Sequence, residues 1–80
     1  MEIKQEMTKE ILDLGLASFL SASGHKLLAV KPTGKKSIFS FEGNEKLEKD
    51  ILDFYNRSAR IDPLTYAETL RNLKALALQG

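Results

Sequence analysis

The 80-residue chain contains no cysteine and only one histidine, His25. Without cysteine, disulfide bonds and thiolate metal sites are excluded, and a single histidine is too few for a histidine-rich metal site. No apolar run approaches the ~18 residues that a membrane-spanning helix requires. We therefore expect no disulfide, no metal or other cofactor, and no membrane segment.

The chain also lacks an excess of charge of either sign. Its 12 basic and 11 acidic residues give a net charge of +1, which by itself indicates neither nucleic acid nor an anionic membrane as a partner. The first ten residues are polar, include acids and lack the apolar core of a signal peptide. Cytoplasmic residence is therefore the expected localisation.

The shortness of the chain limits how much surface it can bury. Eighty residues form one domain, and a domain of this size buries only about 60–65% of its unfolded surface. A lone core below ~80 residues often supplies only ~3–5 kcal/mol of stability. Oligomerisation is one remaining source of additional burial.

The first quarter of the chain predicts an arm followed by an apolar helix. Residues 1–10 have mixed charge, and we expect a flexible arm or a frayed helix start, because Ile3, Met7 and Ile11 are four apart. The single domain is expected to cover residues 11–80. Asp13 is a plausible N-cap, Thr8 being an earlier alternative, and Gly24 suits the left-handed position after the helix. The predicted apolar face contains Leu12, Leu16, Ala17, Phe19 and Leu20.

Two runs with alternating side chains predict a β-hairpin. Residues 25–31 and 36–42 read as strands joined by a turn at residues 32–35. A turn centred on Thr33 and Gly34 pairs Leu28 with Phe39 and Val30 with Ser37. The predicted core face then contains Leu28, Val30, Phe39 and Phe41. The opposite face, which needs cover, contains Leu27, Ala29 and Ile38.

Two further helices follow the hairpin. Asn44 is a candidate N-cap for the first, with an apolar stripe of Leu47, Ile51, Phe54 and Tyr55. Asp62 and Pro63 indicate the start of the second, which runs to about Leu78. Its predicted apolar face contains Leu64, Ala67, Leu70, Leu73 and Ala77, with Tyr66 and Leu76 at the borders. The expected fold is therefore α+β, in the order α-β-β-α-α, with a two-stranded antiparallel hairpin packed on helices.

Several short motifs together resemble a known family. They are DLGLASFL at residues 13–20, GHKLL at 24–28, FSFE at 39–42, IDPLTY at 61–66 and LRNLK at 70–74. In this order and spacing they resemble a small uncharacterised domain family of bacteria, archaea and their phages, labelled only as a domain of unknown function. The resemblance covers roughly residues 11–78. It implies the element order but no activity, so no functional residue is carried over.

No catalytic or metal-binding pattern stands out in the sequence. His25 could pair with a serine nucleophile at Ser21, Ser23 or Ser40, but the sequence lacks the nucleophile elbow and oxyanion-hole signals of a hydrolase. We therefore interpret His25 as a helix-end histidine. The PTGKK turn has one glycine and precedes a strand, unlike a phosphate-binding loop. We interpret the following acids, with lysines three or four residues away, as a solvated helix face without shifted pKa values: Glu42, Glu45, Glu48, Asp50 and Asp53.

Six basic residues form a candidate nucleic-acid surface. They lie in the hairpin turn, the loop before the last helix and that helix itself: Lys35, Lys36, Arg57, Arg60, Arg71 and Lys74. The competing interpretation is that they pair with nearby acids and cover the core with their aliphatic stems.

The sequence thus predicts a non-enzymatic interaction module without a small-molecule substrate. Because an isolated hairpin is marginally stable and has open edges, we expect self-association, as a dimer, through Leu27, Ala29 and Ile38. Accessory nucleic-acid binding is the alternative hypothesis.

Overall fold

A computed structural model describes residues 8–34 and 36–79, in which three strands and three helices follow the order β-α-β-β-α-α. The strands are β1 (Thr8–Ile11), β2 (Leu27–Thr33) and β3 (Lys36–Glu42), and the helices are α1 (Leu14–Ala22), α2 (Glu45–Tyr55) and α3 (Pro63–Gln79). The α+β class is confirmed. The predicted two-stranded hairpin is wrong in one respect, because the strands form a three-stranded antiparallel sheet in the order β1-β3-β2.

The third strand comes from the segment that the sequence predicts as an arm. β1 pairs with β3, placing Thr8 opposite Glu42 and Ile11 opposite Phe39, so residues 8–10 are neither an arm nor a helix start. Ile11 is 6% exposed and belongs to the core, whereas Ile3 and Met7 lie outside the described residues. The sequence signal is weak because a four-residue strand with one buried side chain has almost no periodicity. Its stability comes from pairing with a strand about thirty residues away.

The hairpin register differs by two residues from the predicted one. Val30 lies opposite Phe39 and Thr33 opposite Lys36, so the chain reverses between Thr33 and Lys36, and Thr33 belongs to the strand rather than to the centre of the turn. Gly34 has a φ of +79°, a conformation that glycine adopts without steric cost. Because a shift of two residues preserves the side-chain alternation, Phe39 and Phe41 still face the core, as predicted.

A β-bulge in β2 exchanges the roles of two neighbouring leucines. Leu27 lies opposite Phe41 and Ala29 opposite Ser40, which leaves Leu28 as the extra residue. Leu27 consequently packs against the core, while Leu28 is 47% exposed. The prediction that Leu28 faces the core and Leu27 the opposite side is therefore wrong.

Helix α1 begins and ends as its sequence predicts. The Asp13 carboxylate accepts hydrogen bonds from the backbone amides of Gly15 and Leu16, at 2.8 and 3.2 Å. At the other end Gly24, with a φ of +100°, occupies the left-handed position of a Schellman motif, and the His25 amide donates to the Leu20 carbonyl at 3.1 Å. All five residues from Leu16 to Leu20 are buried, which makes α1 the central helix of the core.

Helices α2 and α3 depart from their predicted apolar faces. In α2, Asp50 is 7% exposed although predicted to be solvated, and Tyr55 is 60% exposed although predicted to be buried. In α3, Leu64 is 78% exposed, while Tyr66 packs inward and donates a hydrogen bond from its hydroxyl to the Gly15 carbonyl at 3.2 Å. Within the described part of the chain, no helix is long and apolar enough to cross a membrane.

One hydrophobic core joins the helices to a single face of the sheet. Its buried members come from β1, β3 and the helices: Ile11, Leu16, Ala17, Phe19, Leu20, Phe39, Phe41, Leu47 and Leu73. Side chains of β3 alternate across the sheet, so Ile38 and Ser40 lie on the opposite face. Among the described residues, no helix packs against that opposite face.

Candidate functional site

An apolar groove opens between the hairpin and the C-terminal part of α3. Its volume is about 330 Å³, which lies at the lower end of the range of ligand pockets. The buried ring of Phe39 lines it, and the exposed side chains of Leu12 and Leu78 (51% and 80% exposed) border it. The other apolar lining residues are Leu14, Pro32 and Ala77.

The charged residues that line this groove are cations. Lys36 comes from the end of β3 at the hairpin turn and Lys74 from α3, and the Ser37 side chain adds a hydroxyl group. No acidic side chain is among the lining residues in the described part of the chain. The groove therefore combines apolar contact area with a positive potential.

The open face of the sheet is the second candidate surface. Leu28 and Ala29 are exposed, Ile38 is half-buried, and Ser40 is 8% exposed because its small side chain lies between two neighbouring strands. Of the three residues predicted for self-association, the structure leaves Ala29 and Ile38 on this face. The bulge replaces Leu27 with Leu28.

The structure brings together only two of the six basic residues predicted to contact nucleic acid. Lys36 and Lys74 line the groove, whereas Arg57 and Arg60 lie in the α2–α3 connection and Arg71 is exposed on α3. Lys35 lies outside the described residues. None of the ion pairs between described residues includes any of these cations, so the predicted pairing with nearby acids is not found there.

Arg57 has an unusual backbone conformation. Its φ is +63°, and it occupies the left-handed position of a Schellman motif at the end of α2, where glycine is most common. The Arg57 amide donates to the Phe54 carbonyl at 3.2 Å, and the Ser58 amide donates to the Asp53 carbonyl at 2.9 Å. These bonds place Arg57 as the turn residue between α2 and the following loop.

A buried histidine–aspartate pair is the main polar feature that the sequence did not reveal. His25 Nε2 lies 2.6 Å from Asp50 Oδ2, and the two side chains are 6% and 10% exposed. Burial raises the pKa of the Asp50 carboxyl, but hydrogen bonds from His25 and Lys46 outweigh it and hold the pKa below the ordinary value of 3.8. The interpretation of Asp50 as a solvated acid is thus wrong. His25 follows α1 as predicted, but its ring pairs with α2.

The spacing of α2 contains a signal for this burial. Asp50 lies three residues after Leu47 and four before Phe54, so it falls on the same helical face as both. This spacing places the Asp50 carboxylate on the buried face of α2, where a charged group needs a partner. The partner itself, 25 residues away, has no local signal in the sequence.

His25 lines a polar depression, but the His25–Asp50 pair lacks the arrangement of a hydrolase. The depression has a volume of about 560 Å³ and also exposes Ser23, Lys26 and Lys46. Within the described residues, His25 makes no hydrogen bond to a serine, and no three histidine or acidic side chains are grouped closely enough to hold a metal ion. The contacts that the structure does show hold the end of α1 against α2.

Comparison with known proteins identifies the family of this chain. Residues 6–79 match the model of a family described as a domain of unknown function (DUF5659). No curated protein and no solved structure matches the chain. The match includes all three strands and all three helices, and the chain therefore belongs to the DUF5659 family.

Proposed function

We propose that the protein is a non-enzymatic interaction module that self-associates through the open face of its sheet. The observation that supports this proposal is the exposure of Leu28 and Ala29 beside the half-buried Ile38, on a face that no helix of the described chain covers. Sheets commonly bury such a face against a second sheet at a distance of about 10 Å.

The order of side chains along β3 is complementary to itself. On the open face β3 presents Lys36, Ile38, Ser40 and Glu42 in sequence, that is, a cation, two small or apolar residues and an anion. If two copies stack with their β3 strands antiparallel, Lys36 of each copy lies near Glu42 of the other. A two-fold axis in the plane of the interface produces this arrangement, and two-fold symmetry is the most common symmetry of oligomers. A second copy of this chain is therefore the occupant that we propose.

The size of the face implies a weak dimer. Three strands of seven residues or fewer cover about 14 Å by 24 Å at the usual strand spacing and rise. That area is well below the ~800 Å² that each partner buries in a standard interface. We therefore expect a dimer that forms at high protein concentration and dissociates on dilution.

Charge reversal across the proposed interface provides the test. Lys36→Glu and Glu42→Lys each place like charges opposite one another, so each should reduce dimer formation, and the double variant should restore it. Sedimentation equilibrium between 20 and 500 µM, values chosen to bracket a weak interface, measures the dissociation constant. Lys49→Glu on α2, away from this face, is the matched control.

Two results would contradict this proposal. The first is a monomeric mass for the unaltered chain at every concentration. The second is a double variant that associates no better than the single variants. Ile38→Lys provides an independent check, because it should abolish association while the circular dichroism spectrum shows that the domain remains folded.

Nucleic-acid binding remains an alternative hypothesis that no contact in the structure favours. The two cations that lie together line an apolar groove, which is not typical of a phosphate-binding surface. A gel-shift assay with DNA and RNA at low salt tests it, and binding that weakens steeply with salt would support it.

A further inference from the structure

We propose that the groove between the hairpin and α3 binds a short acidic peptide segment of a partner protein through one or two apolar side chains. The floor of this site is Phe39, on the opposite side of the sheet from Ile38, so the groove and the open sheet face are different surfaces, although both include Lys36 at the hairpin end. It gives the module a second surface, for a different kind of partner.

The lining of the groove determines the chemistry of the segment. Six of the ten lining residues are apolar, and the two that carry charge, Lys36 and Lys74, are both cations. A matching ligand therefore has apolar side chains next to carboxylates. A volume of about 330 Å³ accommodates a few side chains rather than a whole helix, which has a diameter of about 10–12 Å.

Solvent exposure favours a peptide over a fatty acid. Leu12 and Leu78 remain 51% and 80% exposed at the border, so the groove is open along one side. An acyl chain lying there would keep much of its surface in water and lose most of its hydrophobic gain. A peptide inserts its side chains and leaves its polar backbone in solvent.

The helix end of α3 indicates where the carboxylate binds. Lys74 lies near the carbonyl end of α3, where the helix dipole disfavours an anion. Lys36 and Ser37 belong to the hairpin rather than to α3, and they contribute an ammonium group and a hydroxyl group to the lining. The carboxylate should therefore bind at Lys36 and Ser37, with Lys74 contributing a weaker, longer-range attraction.

Titration of three pentapeptides that share a central Leu-Phe pair tests this inference. The peptides are Glu-Leu-Phe-Asp-Glu, its neutral Gln-Leu-Phe-Asn-Gln equivalent and the basic Lys-Leu-Phe-Lys-Lys, and the readout is the set of amide chemical shifts of the labelled full chain. Shifts from the acidic peptide should be confined to the groove, including Leu12, Ser37 and Ala77. Binding should weaken in the order acidic, neutral, basic. The protein concentration is kept below that at which it associates.

Charge-reversal variants then separate the two lysines. Lys36→Glu should weaken binding of the acidic peptide about three- to tenfold and Lys74→Glu by less, because surface ion pairs contribute modestly. Lys36 belongs to both proposed sites, so Lys74→Glu and Glu42→Lys distinguish them: Lys74→Glu should weaken peptide binding but not dimer formation, and Glu42→Lys should do the reverse. Lys49→Glu is the matched control.

Three outcomes of the peptide and variant titrations would overturn the inference. They are equal binding of all three peptides, shifts outside the groove, and an effect of Lys36→Glu no greater than that of the control. Stronger saturation by decanoate than by the acidic peptide would also overturn it, since it would assign the groove to a lipid.

Discussion

The buried pair of His25 and Asp50 should contribute measurably to the stability of the domain. Asp50→Asn keeps the size of the side chain but removes the negative charge that accepts from His25 at 2.6 Å. Lys46 is 69% exposed along its side chain, so its ammonium group returns to water, whereas the His25 ring is 6% exposed and cannot. The loss is therefore that of one buried charge-assisted hydrogen bond, about 1.5–3 kcal/mol.

That loss is large for a domain of 80 residues. Domains of this size have a free energy of unfolding of about 4–12 kcal/mol, and each kcal/mol lost lowers the Tm by about 4–8 °C. We expect Asp50→Asn to lower the Tm by at least about 6 °C at pH 7, measured by far-ultraviolet circular dichroism. The surface control Lys49→Gln, which breaks the exposed 3.1 Å pair with Asp53, should cost less than about 0.5 kcal/mol.

The pH dependence gives the prediction a definite sign. The pKa of Asp50 is lowered in the folded protein, so its carboxylate adds stability that is complete above the unfolded pKa. This contribution disappears as the pH falls through the folded pKa. The stability difference between the unaltered chain and Asp50→Asn should therefore shrink below about pH 4.

A double-mutant cycle isolates the pairwise contribution. Combining Asp50→Asn with His25→Gln should give a coupling free energy of about 1–2 kcal/mol, because the second substitution no longer removes an intact pair. The reasoning is refuted if the coupling is below about 0.3 kcal/mol, or if the stability difference is the same at pH 3 and pH 7.

Three further substitutions test local features of the fold by urea unfolding. Arg57→Gly should raise the free energy of unfolding by about 0.5–1 kcal/mol because glycine adopts the φ of +63° without steric cost, and a decrease would mean that the Arg57 side chain makes compensating contacts. Tyr66→Phe should lower it by about 0.5–1.5 kcal/mol through loss of the hydrogen bond to Gly15, whereas no change would show that this bond contributes nothing. Leu27→Ser should cost about 1.5–3 kcal/mol and Leu28→Ser much less; equal costs would contradict the bulge.

Local chemistry made the helix boundaries predictable. Asp13 and Gly24 delimit α1, Asn44 caps α2 by accepting from the Leu47 amide at 2.8 Å, and Asp62 caps α3 by accepting from the Thr65 amide at 2.9 Å. In each case one residue satisfies backbone groups within four residues of itself. The position of a helix end can therefore be predicted from the local sequence.

Long-range pairing determines the features that the sequence left hidden. Strand β1 forms because it pairs with β3, and the bulge at Leu28 allows Leu27 to lie beside Phe41. The candidate sites depend on such contacts too. Lys36 and Lys74 are 38 positions apart, and only the packing of the hairpin on α3 places them in one groove. Periodicity describes one element at a time, so it predicts neither their proximity nor the burial of Asp50 against His25.

The presence of β1 changes the physical reason for self-association. An isolated two-stranded hairpin has edges that need a partner, but in this sheet β3 has a neighbour on both sides. The edge formed by β2 contains Pro32 and a bulge, features that hinder further strand pairing. The proposed dimer uses the open face of the sheet rather than the outer edges of β1 and β2. A dimer should therefore leave the strand pairing within each copy unchanged, and hydrogen exchange of β2 and β1 amides should be the same in dilute and concentrated protein. Slower exchange of the β2 amides on concentration would instead indicate pairing along the edge and would refute the face-to-face arrangement.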